Sequence, residues 1–323
     1  MTGYPESLTD PSYKGQILVL TYPLIGNYGV PDDQVDNGMY TFFESDRLHI
    51  SGLIVSDYSF EYSHWNANRS LADWLKQHEI PGIYGIDTRQ LTKILREKGT
   101  MLGKIIFDGR DVDLYDPNKD NLVAQVSIDK KGTYGTGKYR ILLVDCGVKY
   151  NIIRYLLQRD TTVIRVPWDY NFLEEEYDGL FITNGPGDPK QCTVTIENLS
   201  KAFSRDNPIM GICLGNQLMA LASGADTYKL KYGHRSHNQP VMQTGTKQAY
   251  ITSQNHGFAI DNDTLNSEWE PYFINLNDNT NEGMKHKKKP FFSTQFHPEA
   301  SGGPTDTDFL FDQFVEAIEQ YRS

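Results

Sequence analysis

Gly211-Ile-Cys-Leu-Gly215 sets a cysteine between two glycines. It lies where an apolar run, Ile209–Cys213, gives way to a helical pattern over Gln217–Ala222. That is the thiol form of a nucleophile elbow, in which a strand turns sharply into a helix and holds the side chain at the strand's end. The glycines allow the tight turn and the close approach of neighbouring backbone. A helix N-terminus favours a thiolate and offers N–H donors to an oxyanion. Cys213 is therefore read as the nucleophile of an acyl-transfer reaction. The plainer alternative is a small buried hydrophobe.

A thiolate needs a base, and the base needs an orienter. His297 ends the apolar stretch Phe291-Phe-Ser-Thr-Gln-Phe-His297, and Glu299 follows two positions on. In extended backbone those two side chains share a face, and Pro298 biases His297 toward that form. Glu299 is placed to accept from one imidazole nitrogen and leave the other for the thiol. A third element is Leu180-Phe-Ile-Thr-Asn-Gly-Pro-Gly187, a strand running into a turn whose amides offer a second oxyanion donor.

Other clusters carry less. His234 and His237 stand three apart with no third ligand evident, so no metal site is expected. Lys285–Lys289 reads as a solvated loop. Gly132-x4-Gly137-Lys138 has phosphate-loop spacing, but Tyr139 stands where Ser or Thr would hold magnesium, and a strand follows rather than a helix. Asn68-Arg-Ser70 and Asn198-Leu-Ser200 fit the glycosylation pattern without any secretory signal before them.

The elements that must position these groups fall in two halves, as 323 residues suggest. The Gly-rich stretch 131–138 reads as a linker between an N-terminal domain (1–130) and a C-terminal one (139–323). Before it, Ile17–Leu20, Ile50–Val55 and Gly103–Phe107 are strand-like, and Ser70–His78 and Arg89–Lys98 are helical. After it, strands at Ile141–Val144, Thr162–Val166, Gly179–Thr183, Ile209–Cys213 and Pro290–Phe296 alternate with helices at Lys149–Arg159, Gln217–Ala222 and Asp306–Tyr321. That alternation predicts an α/β fold, a mostly parallel sheet with helices on both faces and ligands at the strands' carboxyl ends. The N-terminal half reads as a smaller mixed α/β domain.

Composition excludes several classes. With 31 Lys and Arg against 42 Asp and Glu, the net charge of −11 argues against non-specific nucleic-acid binding. Mean hydropathy is −0.53 and no run approaches a membrane span, so no membrane association is expected. Cys146, Cys192 and Cys213 are too few and too scattered for a disulfide framework and fit a reducing, cytoplasmic setting.

Taken together, Gly185-Pro-Gly-Asp-Pro189, the Cys213 elbow and His297-Pro-Glu299 resemble the class I glutamine amidotransferases. The opening Met1–Tyr13, Thr21–Asn27, Gly85-Ile-Asp-Thr-Arg89 and Ser253-Gln-Asn-His-Gly-Phe258 resemble the glutamine-hydrolysing small subunit or domain of carbamoyl-phosphate synthetase, most of all its eukaryotic pyrimidine-synthesis form. The resemblance implies that Cys213, His297 and Glu299 are catalytic. It implies that Ser12, Gly185, Gly187, Leu214, Gln217, Asn255, Gly257 and Phe258 bind glutamine. Gln217 suits either the α-carboxylate or the α-amino end. The implied reaction is hydrolysis of glutamine to glutamate and ammonia through a thioester. Ammonia would pass to a large synthetase subunit or fused domain, for pyrimidine or arginine synthesis. No cofactor is implied in this chain, with ATP and magnesium on the partner.

The chain departs from that pattern at Asn216, where the family has His, and at His234 and Ser236, where Asn and Gly are usual. The family also has opening strands ahead of the match to Met1, whose absence would expose a sheet edge. Two competing readings follow: a partner subunit with weakened or lost glutamine turnover, and an unrelated cysteine hydrolase built on the same elbow.

Overall fold

The structure is a computed structural model describing residues 3–300 and 303–323. Met1 and Thr2 of the opening motif therefore lie outside the described residues. The chain divides into two compact units, Met1–Leu122 and Val123–Ser323.

The first unit begins with α1 (Tyr4–Thr9) and carries β1 (Ile17–Leu20), β2 (Val35–Asp36), β3 (Met39–Tyr40), β4 (Gly52–Val55), α2 (Leu71–Gln77), β5 (Gly82–Ile83) and α3 (Thr88–Lys98). Strands β1, β4 and β5 form a parallel three-stranded sheet. Helix α2 starts where Ser70 accepts from the Asp73 amide, and α3 where Asp87 accepts from the Gln90 amide. Leu71, Trp74 and Leu75 are the buried face of α2, as their spacing predicts, and Trp74 stacks on Phe43. Gly103–Phe107 is not a strand, since its only bridge is Phe107 to Arg110. Ile105 packs close over Gly52 without entering a ladder.

Helix α4 (Leu122–Val126) straddles the division. The second unit continues with β6 (Gly132–Tyr134), β7 (Tyr139–Asp145), α5 (Tyr150–Leu157), β8 (Thr161–Pro167), β9 (Gly179–Ile182), α6 (Thr193–Ala202), β10 (Ile209–Ile212) and α7 (Leu214–Ala222). Four further strands follow, β11 (Thr227–Gln243), β12 (Ala249–Ile260), β13 (Trp269–Asn275) and β14 (Asn281–His286), then β15 (Phe291–Thr294) and α8 (Phe309–Arg322). They make a ten-stranded sheet in the order β12-β11-β13-β14-β15-β10-β9-β7-β8-β6. Its centre, β15 through β8, is parallel, and antiparallel strands extend both edges.

Successive residues of a strand face opposite sides. Phe181 packs on Phe311 and Phe314 of α8, whereas Ile182 meets Gly215 of α7. Helices therefore cover both faces, as the alternation predicts. No helix among the described residues is long and apolar enough to cross a membrane.

The stretch 131–138 corrects the expected linker. Its strand β6 pairs antiparallel with β8. A Cβ on Gly137 would lie 2.2 Å from the Asp160 carbonyl carbon, so that glycine serves close packing. Residues from Val123 onward already belong to the second unit. Val123 is buried in its core, and the Ile128 amide donates to Asp145.

Candidate active site

Parallel pairing brings the predicted groups together at one sheet end. Strand β10 lies between β15 and β9, so the residues that follow these strands leave the sheet side by side. Cys213 follows β10, His297 lies three positions beyond β15, and Gly185 three beyond β9. The Cys213 amide donates to the Thr294 carbonyl and the His297 amide to the Ser253 carbonyl, which fixes both at the backbone.

Cys213 has φ 55° and ψ −102°, a conformation a non-glycine residue adopts only when its surroundings impose it. The imposition is visible. A Cβ on Gly211 would come within 2.8 Å of the Gly215 backbone, and one on Gly215 within 2.2 Å of the Ile182 carbonyl oxygen. Both elbow glycines are thus required by close backbone approach. Leu214, the first residue of α7, has an amide with no intrahelical acceptor. Gly185 packs against the Cys146 carbonyl and the Leu214 side chain, which brings its turn beside the elbow. Gly187 has φ +87°.

His297 Nδ1 lies 2.8 Å from Glu299 Oε1. Its other nitrogen, Nε2, is buried without a formed hydrogen bond, and the ring interacts with the Cys213 sulfur. Burial and the Lys149 charge oppose the imidazolium, but Glu299 and Cys213 outweigh them and raise its pKa to about 10. Burial would likewise raise the Glu299 carboxyl, yet Lys149 and His297 hold it down at about 2. Cys213 Sγ sits 3.8 Å from the Asn255 carbonyl oxygen. Cys213 is 2% exposed and His297 3%.

Sequence reasoning missed Lys149. Its ammonium lies 2.7 Å from Glu299 Oε1, the oxygen that also meets His297. Read only as the start of a helix, it is the N-cap residue of α5. The available signal was a cation at the carboxyl end of a buried strand, beside the predicted ligand end of the sheet. Asn151 adds a hydrogen bond to the Glu299 carbonyl.

The residues implied to bind glutamine fall in two places. Ser12 belongs to the first unit, where its amide donates to Asp10. Gln217, Asn255, Gly257 and Phe258 lie in the second unit on α7 and β12. Gln217 Nε2 donates to the Phe258 carbonyl and to Gln295 Oε1, both at 3.0 Å. Both of its amide hydrogens are committed, so Oε1 is the atom left to meet a substrate. Asn255 Nδ2 is a buried donor without an acceptor. Asn216 is satisfied at both ends, accepting from Ser293 and donating to Gln295.

Residues 142–317 match the family model "Glutamine amidotransferase class-I", and residues 1–105 match "Carbamoyl-phosphate synthase small chain, CPSase domain". The chain is 51% identical to the carbamoyl phosphate synthase arginine-specific small chain of Saccharomyces cerevisiae, covering all of this chain and 82% of that one. It is 54% identical to Multifunctional protein CAD of Squalus acanthias and 50% to the mitochondrial carbamoyl-phosphate synthase [ammonia] of Mus musculus. Each of these matches takes in 98% of this chain but only 14% and 22% of the relatives' own lengths. A solved GMP synthase chain from Thermoplasma acidophilum superposes with a TM-score of 0.50 at 25% identity, over 58% of this chain and 97% of its own.

Proposed function

Because the chain belongs to the carbamoyl-phosphate synthase small chains and carries a class I glutamine amidotransferase domain, we propose that it hydrolyses glutamine and delivers ammonia for carbamoyl phosphate synthesis. Whole-chain similarity does not decide the nitrogen source, since a relative named for ammonia matches almost as well as the others. The convergence of Cys213 and His297 at adjacent strand ends carries the proposal.

Cys213 is the nucleophile, His297 the acid and base, and Glu299 its orienter. The thiolate attacks the carboxamide carbon and forms a C–S bond. Charge gathers on the carbonyl oxygen, where the Leu214 amide and the Gly185–Gly187 turn are the donors. Imidazolium Nε2–H then protonates the departing nitrogen, the C–N bond breaks, and ammonia leaves a thioester. Neutral His297 next takes a proton from water, whose oxygen attacks the thioester. The C–S bond breaks, giving glutamate and thiolate. Throughout, Nδ1–H stays on Glu299 and fixes the ring. Gln217 Oε1, an acceptor, suits the substrate's α-ammonium rather than its carboxylate. Asn255, Gly257 and Phe258 complete the substrate contacts within the second unit.

The ammonia goes to a carbamoyl-phosphate synthetase large subunit or fused domain, which holds the ATP and magnesium. The pathway served is pyrimidine or arginine synthesis. The near-complete burial of Cys213 fits a glutaminase that opens to substrate only when coupled to that partner. Three buried free cysteines support a reducing compartment, and we assign the cytoplasm.

A glutamine-like electrophile tests this reading. It is expected to alkylate Cys213, found by peptide mass, with free glutamine protecting. Labelling without protection would point to another hydrolase, and no labelling of the assembled complex to a silent partner subunit. In that complex Cys213→Ser is expected to abolish glutamine-driven synthesis and spare ammonia-driven synthesis.

A further inference from the structure

Outside the catalytic group, three buried side chains converge from three strands: His234 on β11, His256 on β12 and Glu282 on β14. His234 and His256 are cross-strand partners, with rings edge to face at 4.9 Å. One donor atom from each of the three lies within 4.8 Å of the others. Glu282 Oε1 is 3.2 Å from His234 Nδ1 and 3.9 Å from His256 Nε2. Ligands on a tetrahedral ion with bonds of about 2.0 Å stand about 3.3 Å apart, which the Glu282–His234 pair already matches and toward which His256 must draw in.

Each imidazole is held from behind through its other nitrogen. His256 Nδ1 faces the Phe258 carbonyl at 2.8 Å and Nε2 faces Gln254 Oε1 at 3.1 Å, so an ion bound through Nε2 takes the place of the Gln254 contact while Nδ1–H stays on Phe258. His234 Nε2 stands 2.8 Å from Asp278 in the same relationship. Metal-bound histidines are oriented in this way. Glu282 Oε1 accepts from Asn275, but Oε2 is buried with no hydrogen-bond partner. A buried carboxylate oxygen without a donor is costly, and a cation removes that cost.

We propose that His234 Nδ1, His256 Nε2 and the Glu282 carboxylate bind a divalent transition-metal ion, zinc foremost, that ties β11, β12 and β14 together. The nitrogen and oxygen donors suit zinc, cobalt or nickel rather than a soft thiolate-seeking ion. Glu282 and Asp278 balance its two charges. His256 sits between Asn255 and Gly257, so the ion holds the strand that carries them and takes no part in the chemistry. His237, three positions beyond His234, bonds Ser253 and takes no part.

The test uses chelator-treated, untagged chain with Cys213→Ser, which removes the competing thiol. Cobalt is expected to bind at one equivalent with visible absorption, zinc to displace it, and zinc to raise the melting temperature. His234→Asn and Glu282→Gln are expected to lose uptake while keeping their circular dichroism. Asp278 is partly exposed, so Asp278→Asn tests the site even if those variants misfold. Its affinity is expected to fall about 10- to 100-fold. Folded parent chain that takes up neither metal stoichiometrically would overturn the site. So would uptake unchanged in the ligand variants, or an unchanged affinity in Asp278→Asn.

Discussion

Lys149 Nζ lies 2.7 Å from Glu299 Oε1, the same oxygen that His297 Nδ1 meets at 2.8 Å. One fully buried carboxylate oxygen therefore faces two cations. The cations oppose each other: Lys149 disfavours the imidazolium that Glu299 favours. The Lys149–Glu299–His297 contacts thus set how tightly His297 holds its proton, and the proposed hydrolysis needs that proton given up and taken back within a turnover.

Lys149→Met removes one arm of this balance. The buried Glu299 charge is left with His297 alone, and the fold is expected to lose about 3 kcal/mol, measured by denaturant titration. His297 should hold its proton more firmly, so thioester hydrolysis is expected to slow more than thioester formation, as rapid-quench kinetics would resolve. The double variant Lys149→Met, Glu299→Gln should be less destabilised than the two singles together predict, because it removes both members of the Lys149–Glu299 pair and leaves neither buried without the other. Simple additivity would show that the ion pair is incidental.

Glu299→Gln keeps the shape and loses the charge. Turnover of glutamine is expected to fall about a thousandfold, since the amide can turn an N–H toward Nδ1 and favour the wrong tautomer, and the imidazolium loses its counter-charge. The variant also carries a pH signature. The Glu299 carboxyl sits at about 2 in the folded protein against 4.5 when free. Its contribution to stability is complete above about 4.5 and is lost as pH falls toward 2. The stability gap between parent and Glu299→Gln should therefore be widest near neutrality and close in that acid window. A gap that stays constant with pH would mean the carboxylate is not held in this way.

The parallel half of the second unit was legible in the sequence because its strands are short, apolar and bounded by helices of clear period. Ile141–Val144, Thr162–Val166 and Gly179–Thr183 match observed strands to within a few residues. Strands β11 through β14 were not legible. Strand β11 runs seventeen residues with mostly polar, part-exposed side chains and irregular register against β12, so it shows no clean alternation. Asn255 and Phe258 were found only through resemblance, because nothing in their local pattern marks them. The proximity of Lys149 to Glu299 joins the start of α5 to the loop after β15, and no local pattern encodes such a distance. Gly135 and Gly137 misled for a similar reason: the Asp160 and Thr161 backbone that requires them is remote in sequence.

The elbow gives a packing prediction. Gly215→Ala would set a methyl 2.2 Å from the Ile182 carbonyl oxygen and 2.9 Å from its carbonyl carbon, backbone atoms rather than the end of a flexible side chain. The cost is expected to be about 3 kcal/mol in thermal or chemical unfolding, with loss of Cys213 labelling as the turn shifts. Gly132→Ala is the control, because its new methyl would meet only the Tyr134 ring at 3.7 Å. Equal effects of the two substitutions would remove close backbone contact as the reason for the second elbow glycine.

Gln295 supports the substrate side of the site without being one of the residues proposed to touch glutamine. Its Oε1 accepts from Asn216 at 3.1 Å and from Gln217 at 3.0 Å. Gln295→Leu leaves both buried donors short of an acceptor, a cost of about 1–3 kcal/mol each if neither finds water. Gln217 keeps its bond to the Phe258 carbonyl but is free to turn its amide, so Oε1 no longer has a fixed direction. If that oxygen receives the α-ammonium, the variant should raise KM for glutamine about tenfold while kcat changes less. Ammonia-driven synthesis by the assembled complex should be unaffected. A fall in kcat at unchanged KM would instead place the Asn216–Gln295–Gln217 network behind the elbow, holding Cys213 rather than the substrate's amino end.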